Sequence, residues 1–120
     1  MKLFIHVSSI ILFLLLGSSS IFAQSTSKSG FTEARFVVKG VCDMCKERIE
    51  TTLDVKGVKY AEWSLVTDTL FVVYHPAKIS LERIHELLAN AGHDTELKKA
   101  SDESYRKIDD CCRYRELEKH

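Results

Sequence analysis

Two thiols three residues apart, in Cys42-Asp43-Met44-Cys45, are the residues best suited to chemistry in this chain. They sit between a strand-like run, Phe31 to Lys39, and a helix-like run, Lys46 to Leu53. At a helix start both sulfurs can converge on one soft metal ion, and the helix dipole favours their thiolate forms. The same spacing also fits a redox motif or a structural disulfide. A second pair, Cys111-Cys112, lies near the other end of the chain. Adjacent cysteines seldom bridge each other because the small ring strains the disulfide, so these two are candidates for metal binding or for pairing with Cys42 and Cys45.

The compartment bears on that choice. Met1-Lys2 gives a positive start, Leu3 to Leu16 is predominantly apolar, and Ser18 to Ala23 supplies small residues for cleavage, so residues 1–23 read as a secretory signal peptide. The apolar run is shorter than the roughly 18 to 20 residues a spanning helix needs. The expected location is therefore outside the cytoplasm, in the periplasm, where thiols can oxidise. Removing Lys2 with the signal leaves 16 basic against 17 acidic residues, a net charge of −1. That balance gives no argument for nucleic acid or a polybasic membrane surface.

The elements that must position the thiols follow from periodicity. Residues 24–30 have the small, polar composition of a flexible lead-in. Ala34, Phe36 and Val38 alternate with Arg35, Val37 and Lys39 as the two faces of a strand do, and Cys45, Ile49 and Leu53 recur every fourth residue as on an amphipathic helix. Ala61, Trp63 and Leu65, then Leu70, Val72 and Tyr74, form a hairpin about Thr67-Asp68. Ser80 caps a second helix with its stripe at Leu81, Ile84, Leu87, Leu88 and Ala91, and Gly92 stops it. A short last strand over Asp94 to Lys98 completes a β-α-β-β-α-β order. The expected fold is α+β: a ferredoxin-like sandwich with a four-stranded antiparallel sheet and two helices on one face.

That order, with Val38-Lys39-Gly40-Val41-Cys42-Asp43-Met44-Cys45 and the later Gly57-Val58, Tyr74-His75-Pro76 and Ala91-Gly92-His93-Asp94, resembles the heavy-metal-associated domains. The family includes copper chaperones, domains of metal-pumping ATPases and the periplasmic mercury-binding protein. The resemblance covers roughly residues 33–98. The family usually carries Gly-Met-Thr before its first cysteine, whereas Gly40-Val41 alone precedes Cys42, so the loop is one residue shorter and Val41 or Met44 inherits the packing role of the missing methionine.

Together with the export expected from residues 1–23, the resemblance implies a protein that is not an enzyme and binds a soft metal on Cys42 and Cys45. Cu(I) is the first expectation, with Hg(II) suited to the same thiolates and Zn(II) short of its usual four ligands. The partners it implies are a metal-transporting membrane protein or another metal-binding domain. A mercury scavenger of the same fold and a thiol-disulfide oxidoreductase are the alternatives. His93 falls in the loop that approaches the metal loop in the family, and is a secondary candidate as third ligand or hydrogen-bond donor.

The segments expected are thus a signal peptide over 1–23, a lead-in over 24–30, a metal-binding domain over 31–99 and a C-terminal extension over 100–120. Val37, Phe71 and Val73 share the sheet face that no helix covers, more apolar surface than scattered residues would leave. The extension is expected to pack there. The last strand runs away from the metal loop, but some 13 residues return from Lys98 to Cys111, about 20 Å as a helix, enough to bring Cys111 and Cys112 toward the first pair.

Overall fold

The computed structural model describes residues 30–120. The signal peptide expected over 1–23 and the lead-in before Gly30 lie outside the described residues. Three strands form one antiparallel sheet in the order β1-β3-β2, with β1 at Thr32–Val37, β2 at Val58–Trp63 and β3 at Thr69–Tyr74. In the register, Phe36 and Trp63 flank Leu70, and Ala34 and Ala61 flank Val72. One face of the sheet is thereby apolar: Phe36, Trp63, Leu70, Val72 and Tyr74 are all buried. Against them pack α1, Asp43–Thr52, through Cys45 and Ile49, and α2, Leu81–Asn90, through Ile84 and Leu88. The alternation and the four-residue repeat thus meet in one core. The Trp63 indole N–H donates to the Val38 carbonyl at 2.9 Å, giving that buried polar group a partner and tying β2 to the end of β1.

The hairpin turns at Asp68, the one non-glycine residue at positive φ (56°) among those described. The Ser80 hydroxyl accepts from the Arg83 N–H at 3.1 Å and opens α2. Gly92, at φ +101°, closes it, a backbone conformation that a side chain strains.

The segment expected as a fourth strand contributes only a single bridge, Val38 to Thr95. Lys39 donates to Asp94 and Glu96 donates to Val37, so pairing with the end of β1 starts. The Thr95 hydroxyl then accepts from the N–H of Leu97 (3.3 Å) and Lys98 (3.0 Å), and the Thr95 N–H bonds the Lys98 carbonyl at 2.7 Å. A side chain that captures backbone groups two and three residues on turns the chain back before a strand can extend.

The extension continues this core. Helix α3, Asp102–Arg106, is capped by Ser101 and buries Tyr105; Ile108 and Cys112, the latter in a 3₁₀ turn at Asp110–Cys112, are buried in the same cluster as the sheet residues. It does not cover the open sheet face, which corrects the expected packing. Residues 108–120 instead run beside α1 and the metal loop, where His120 N–H bonds the Val41 carbonyl and Arg48 pairs with Asp109. On the open face Val37, Phe71 and Val73 are only half-buried, and the Arg35 guanidinium lies 4.2 Å over the Phe71 ring with Tyr60 beside it. A cation–π contact and a neighbouring ring shield that face locally. His85, on α2, is buried, stacked on Phe36 with centroids 3.9 Å apart and bonded to Thr95 Oγ1 at 2.6 Å.

Candidate metal centre

Cys42 is the residue before α1, with extended backbone, and Cys45 is in the first turn. Their sulfurs lie 3.5 Å apart. The extension brings a third thiol to them: Cys112 Sγ is 3.4 Å from Cys42 Sγ, and its carbonyl is 3.8 Å from Cys45 Sγ. Among the described residues these three donors form the one group of three or more His, Cys, Asp or Glu ligand atoms lying within 4.8 Å of one another. All four cysteines are unbridged.

Each sulfur has a distinct environment. Burial pushes the Cys42 thiol up, but the N–H groups of Cys45 and Met44 and the thiols of Cys112 and Cys45 outweigh it, so Cys42 ionises below its ordinary value. This is the stabilisation a helix start offers an anion. Burial dominates at Cys45 and pushes it up. Cys112 is pushed up to about 12 by burial and by the neighbouring Cys45 and Cys42, against the opposing pull of Arg48. Among the cations of α1, Arg48 serves this cluster: its guanidinium is held by Asp109 and approaches Cys112. Lys46 turns to Glu50 and the Trp63 carbonyl.

The remaining candidates separate. Cys111 Sγ lies 3.9 Å from Cys112 Sγ and 3.3 Å from Met44 Sδ, on the outer side of the cluster. Val41 is buried while Met44 is 47 % exposed, so Val41 takes the packing role left by the shortened loop. His93 is buried, yet it stands outside the thiol group. Its Nδ1–H donates to the Lys39 carbonyl at 2.8 Å, its ring stacks on Tyr114, and Nε2 has no partner. Burial lowers its pKa to about 4, so it is a neutral prop under the loop at pH 7.

Residues that spacing did not single out hold the extension in place. The Tyr114 hydroxyl donates to the Gly92 carbonyl at 2.7 Å and accepts from the Asp94 N–H at 2.9 Å. Arg115 reaches Asp94 through Nη2 (2.8 Å) and Nε (3.3 Å) and also bonds the Ala100 carbonyl. The only signal of this in the sequence is the aromatic and basic character of Tyr105, Tyr114 and Arg115.

With fold and thiol cluster in view, comparison with known proteins is direct. Residues 35–94, half of the 120-residue chain, match the heavy-metal-associated domain, and the chain belongs to that family. Similar solved structures include the N-terminal domain of a potential copper-translocating P-type ATPase from Bacillus subtilis in the Cu(I)-loaded state, at 30% identity and TM-score 0.53, covering 60% of this chain and 92% of that one. The CopZ metallochaperone superposes at TM-score 0.51 and 24% identity over 53% of this chain and 98% of its own. Oxidised MerP from Ralstonia metallidurans CH34 gives 0.52 and 22% over 55% and 94%. The last two likenesses bear on the fold alone. Comparison with curated proteins returns no match.

Proposed function

We propose that this protein is an exported carrier or store of a soft metal ion, Cu(I) in the first place, bound by the thiolates of Cys42, Cys45 and Cys112. The observation that carries the reading is the convergence of three sulfurs within 4.8 Å of one another at a helix start. Sulfur-only donors select soft d¹⁰ ions, and the absence of hard donors from the group disfavours Mg²⁺ or Ca²⁺. Zn(II) would still lack a fourth ligand, since His93 stands outside the cluster. The Cu(I)-loaded ATPase domain from Bacillus subtilis, at 30% identity, supports copper as cargo.

Charge favours one second reading, Hg(II). Three thiolates around a monovalent ion leave two excess negative charges, of which Arg48 offsets one; around a divalent ion they leave a single excess charge, which Arg48 cancels. Export rests on the signal-like residues 1–23, and the proposed recipient is a metal-transporting membrane protein or another metal-binding domain. The binding needs no catalytic residue.

Anaerobic titration of the reduced protein with Cu(I), against a competing chelator, tests this reading. Tight binding disappears in Cys42→Ser and Cys45→Ser and weakens in Cys112→Ser. Equal binding by all three variants and the wild type overturns the assignment, and a parallel Hg(II) titration ranks the two cargoes.

A further inference from the structure

The three thiols proposed to hold the ion are almost sealed: Cys42 is 6 % exposed, and Cys45 and Cys112 are 0 % exposed. An ion bound by them alone presents no sulfur to solvent, yet soft ions move between proteins by exchange of sulfur ligands. The sulfur array does not end at the buried trio. From Cys45 it passes to Cys42 (3.5 Å), to Cys112 (3.4 Å), to Cys111 (3.9 Å) and to Met44 Sδ (3.3 Å). Its first three members are buried, Cys111 is half-buried and Met44 is 47 % exposed.

We infer that Cys111 and Met44 form a second soft-metal subsite at the surface, joined to the buried one by Cys112, so that the filled protein carries two Cu(I) ions. This rests on the proposed function of the buried thiols and extends it. Thiolate and thioether are both soft donors, and both suit Cu(I). A thiolate sulfur has lone pairs enough to bridge two such ions, and Cys112 is in contact with the Cys42 sulfur on one side and the Cys111 sulfur on the other. On binding, Cys111 gives up its thiol proton to solvent and forms one S–Cu bond; Met44 adds a neutral donor with no proton to lose. No electron is transferred.

The geometry also accounts for Met44. An exposed methionine inside the metal loop has no packing role here, because Val41 fills the core position. Its sulfur instead meets the side chain of a residue 67 positions away. The outer subsite is thus built jointly by the loop and the extension, as the inner one is.

The test is an anaerobic Cu(I) titration of the reduced full chain with chelator competition, combined with X-ray absorption of the loaded protein. The wild type takes up two equivalents and shows copper–copper scattering. Cys111→Ser retains one equivalent and loses that scattering. Met44→Leu holds the second equivalent more weakly by about tenfold or more, the lower range for loss of a supporting group at a metal site. Both positions are on the outside of the fold, and unchanged thermal unfolding of the apo variants confirms it. A wild type saturating at one equivalent, or either variant binding the second ion at wild-type affinity, overturns the inference and leaves the buried site standing. A wild type that takes up no Cu(I) overturns the buried site itself.

Discussion

Replacing Arg115 with methionine removes the clamp that holds the extension over the metal loop while keeping much of the side-chain volume. In the folded protein Arg115 makes two hydrogen bonds to the Asp94 carboxylate, at 2.8 and 3.3 Å, and one to the Ala100 carbonyl at 2.8 Å. It also lies 4.2 Å over the Tyr105 ring. Both members of the ion pair keep about a fifth of their side-chain surface exposed (22 % and 19 %), so the cost falls below the roughly 3–5 kcal/mol of breaking a fully buried pair. Charged hydrogen bonds contribute about 1.5–3 kcal/mol and a cation–π contact about 0.5–1 kcal/mol, which, discounted for screening, puts the loss near 2–3 kcal/mol. For a domain of this size that is a fall in Tm of roughly 10–20 °C. Calorimetry of apo wild type, Arg115→Met, Asp94→Asn and the double variant measures it, with a coupling of about 1–2 kcal/mol expected between the two sites. Lys107→Met, which touches an ion pair 74 % and 79 % exposed, serves as control and stays within about 0.5 kcal/mol of wild type. Because Arg115 follows Cys112 by three residues, Cu(I) affinity falls in Arg115→Met and not in the control. An Arg115→Met loss under about 0.5 kcal/mol, or additive single effects, refutes the clamp.

The same pair sets an acid limit. Burial raises the Asp94 carboxyl, but Arg115 and the Ala100 N–H outweigh it and hold its pKa below the ordinary value. The folded state therefore binds fewer protons than the unfolded one, whose Asp titrates near 3.9, so this stabilisation is complete above about pH 5 and is lost as pH falls through the lower folded value. Denaturation of the apo protein between about pH 5 and 2 shows that slope, and Asp94→Asn flattens it. Gly92→Ala sets a Cβ against Ile108 Cγ2 and 2.9 Å from the Ser104 carbonyl oxygen, at φ +101°; strain and overpacking together cost about 2–4 kcal/mol in chemical denaturation, and a neutral effect contradicts the docking of Ile108 there. Gly40→Ala sets a Cβ 2.9 Å from the Trp63 ring and 3.0 Å from Cys45 Cβ. It shifts Trp63 fluorescence and weakens Cu(I) binding together, whereas unchanged affinity shows that the loop adapts without moving Cys45.

Elements whose patterns are local were legible from the sequence. The alternation at Phe36, Leu70 and Val72, the stripe at Ile84 and Leu88, and the Ser80 and Gly92 stop signals each act within a few residues, and the structure places all of them as the pattern implies. The last strand was not, because Asp94 to Lys98 carries the turn in a single hydroxyl, that of Thr95, which competes with the ladder. The approach of the second cysteine pair could be reasoned from chain length, but not which of its members enters. Sorting Cys112 inward and Cys111 outward depends on Tyr114, Arg115 and Asp109 finding Gly92, Asp94 and Arg48, contacts that span up to 61 residues and leave no periodic trace. Nothing in the local pattern marks the burial of His85 and His93, which are held by the Thr95 hydroxyl 10 residues on and by the Lys39 carbonyl 54 residues back.

The third thiol has a consequence in time. Cys112 follows Cys45 by 67 residues. At a synthesis rate of about 5–20 residues per second, the ribosome supplies it roughly 3–13 s after the pair in the loop. Over that interval the nascent chain carries two thiols of the cluster and no Arg48–Asp109 contact. The three-sulfur pocket therefore belongs only to a chain that is complete and has closed on itself.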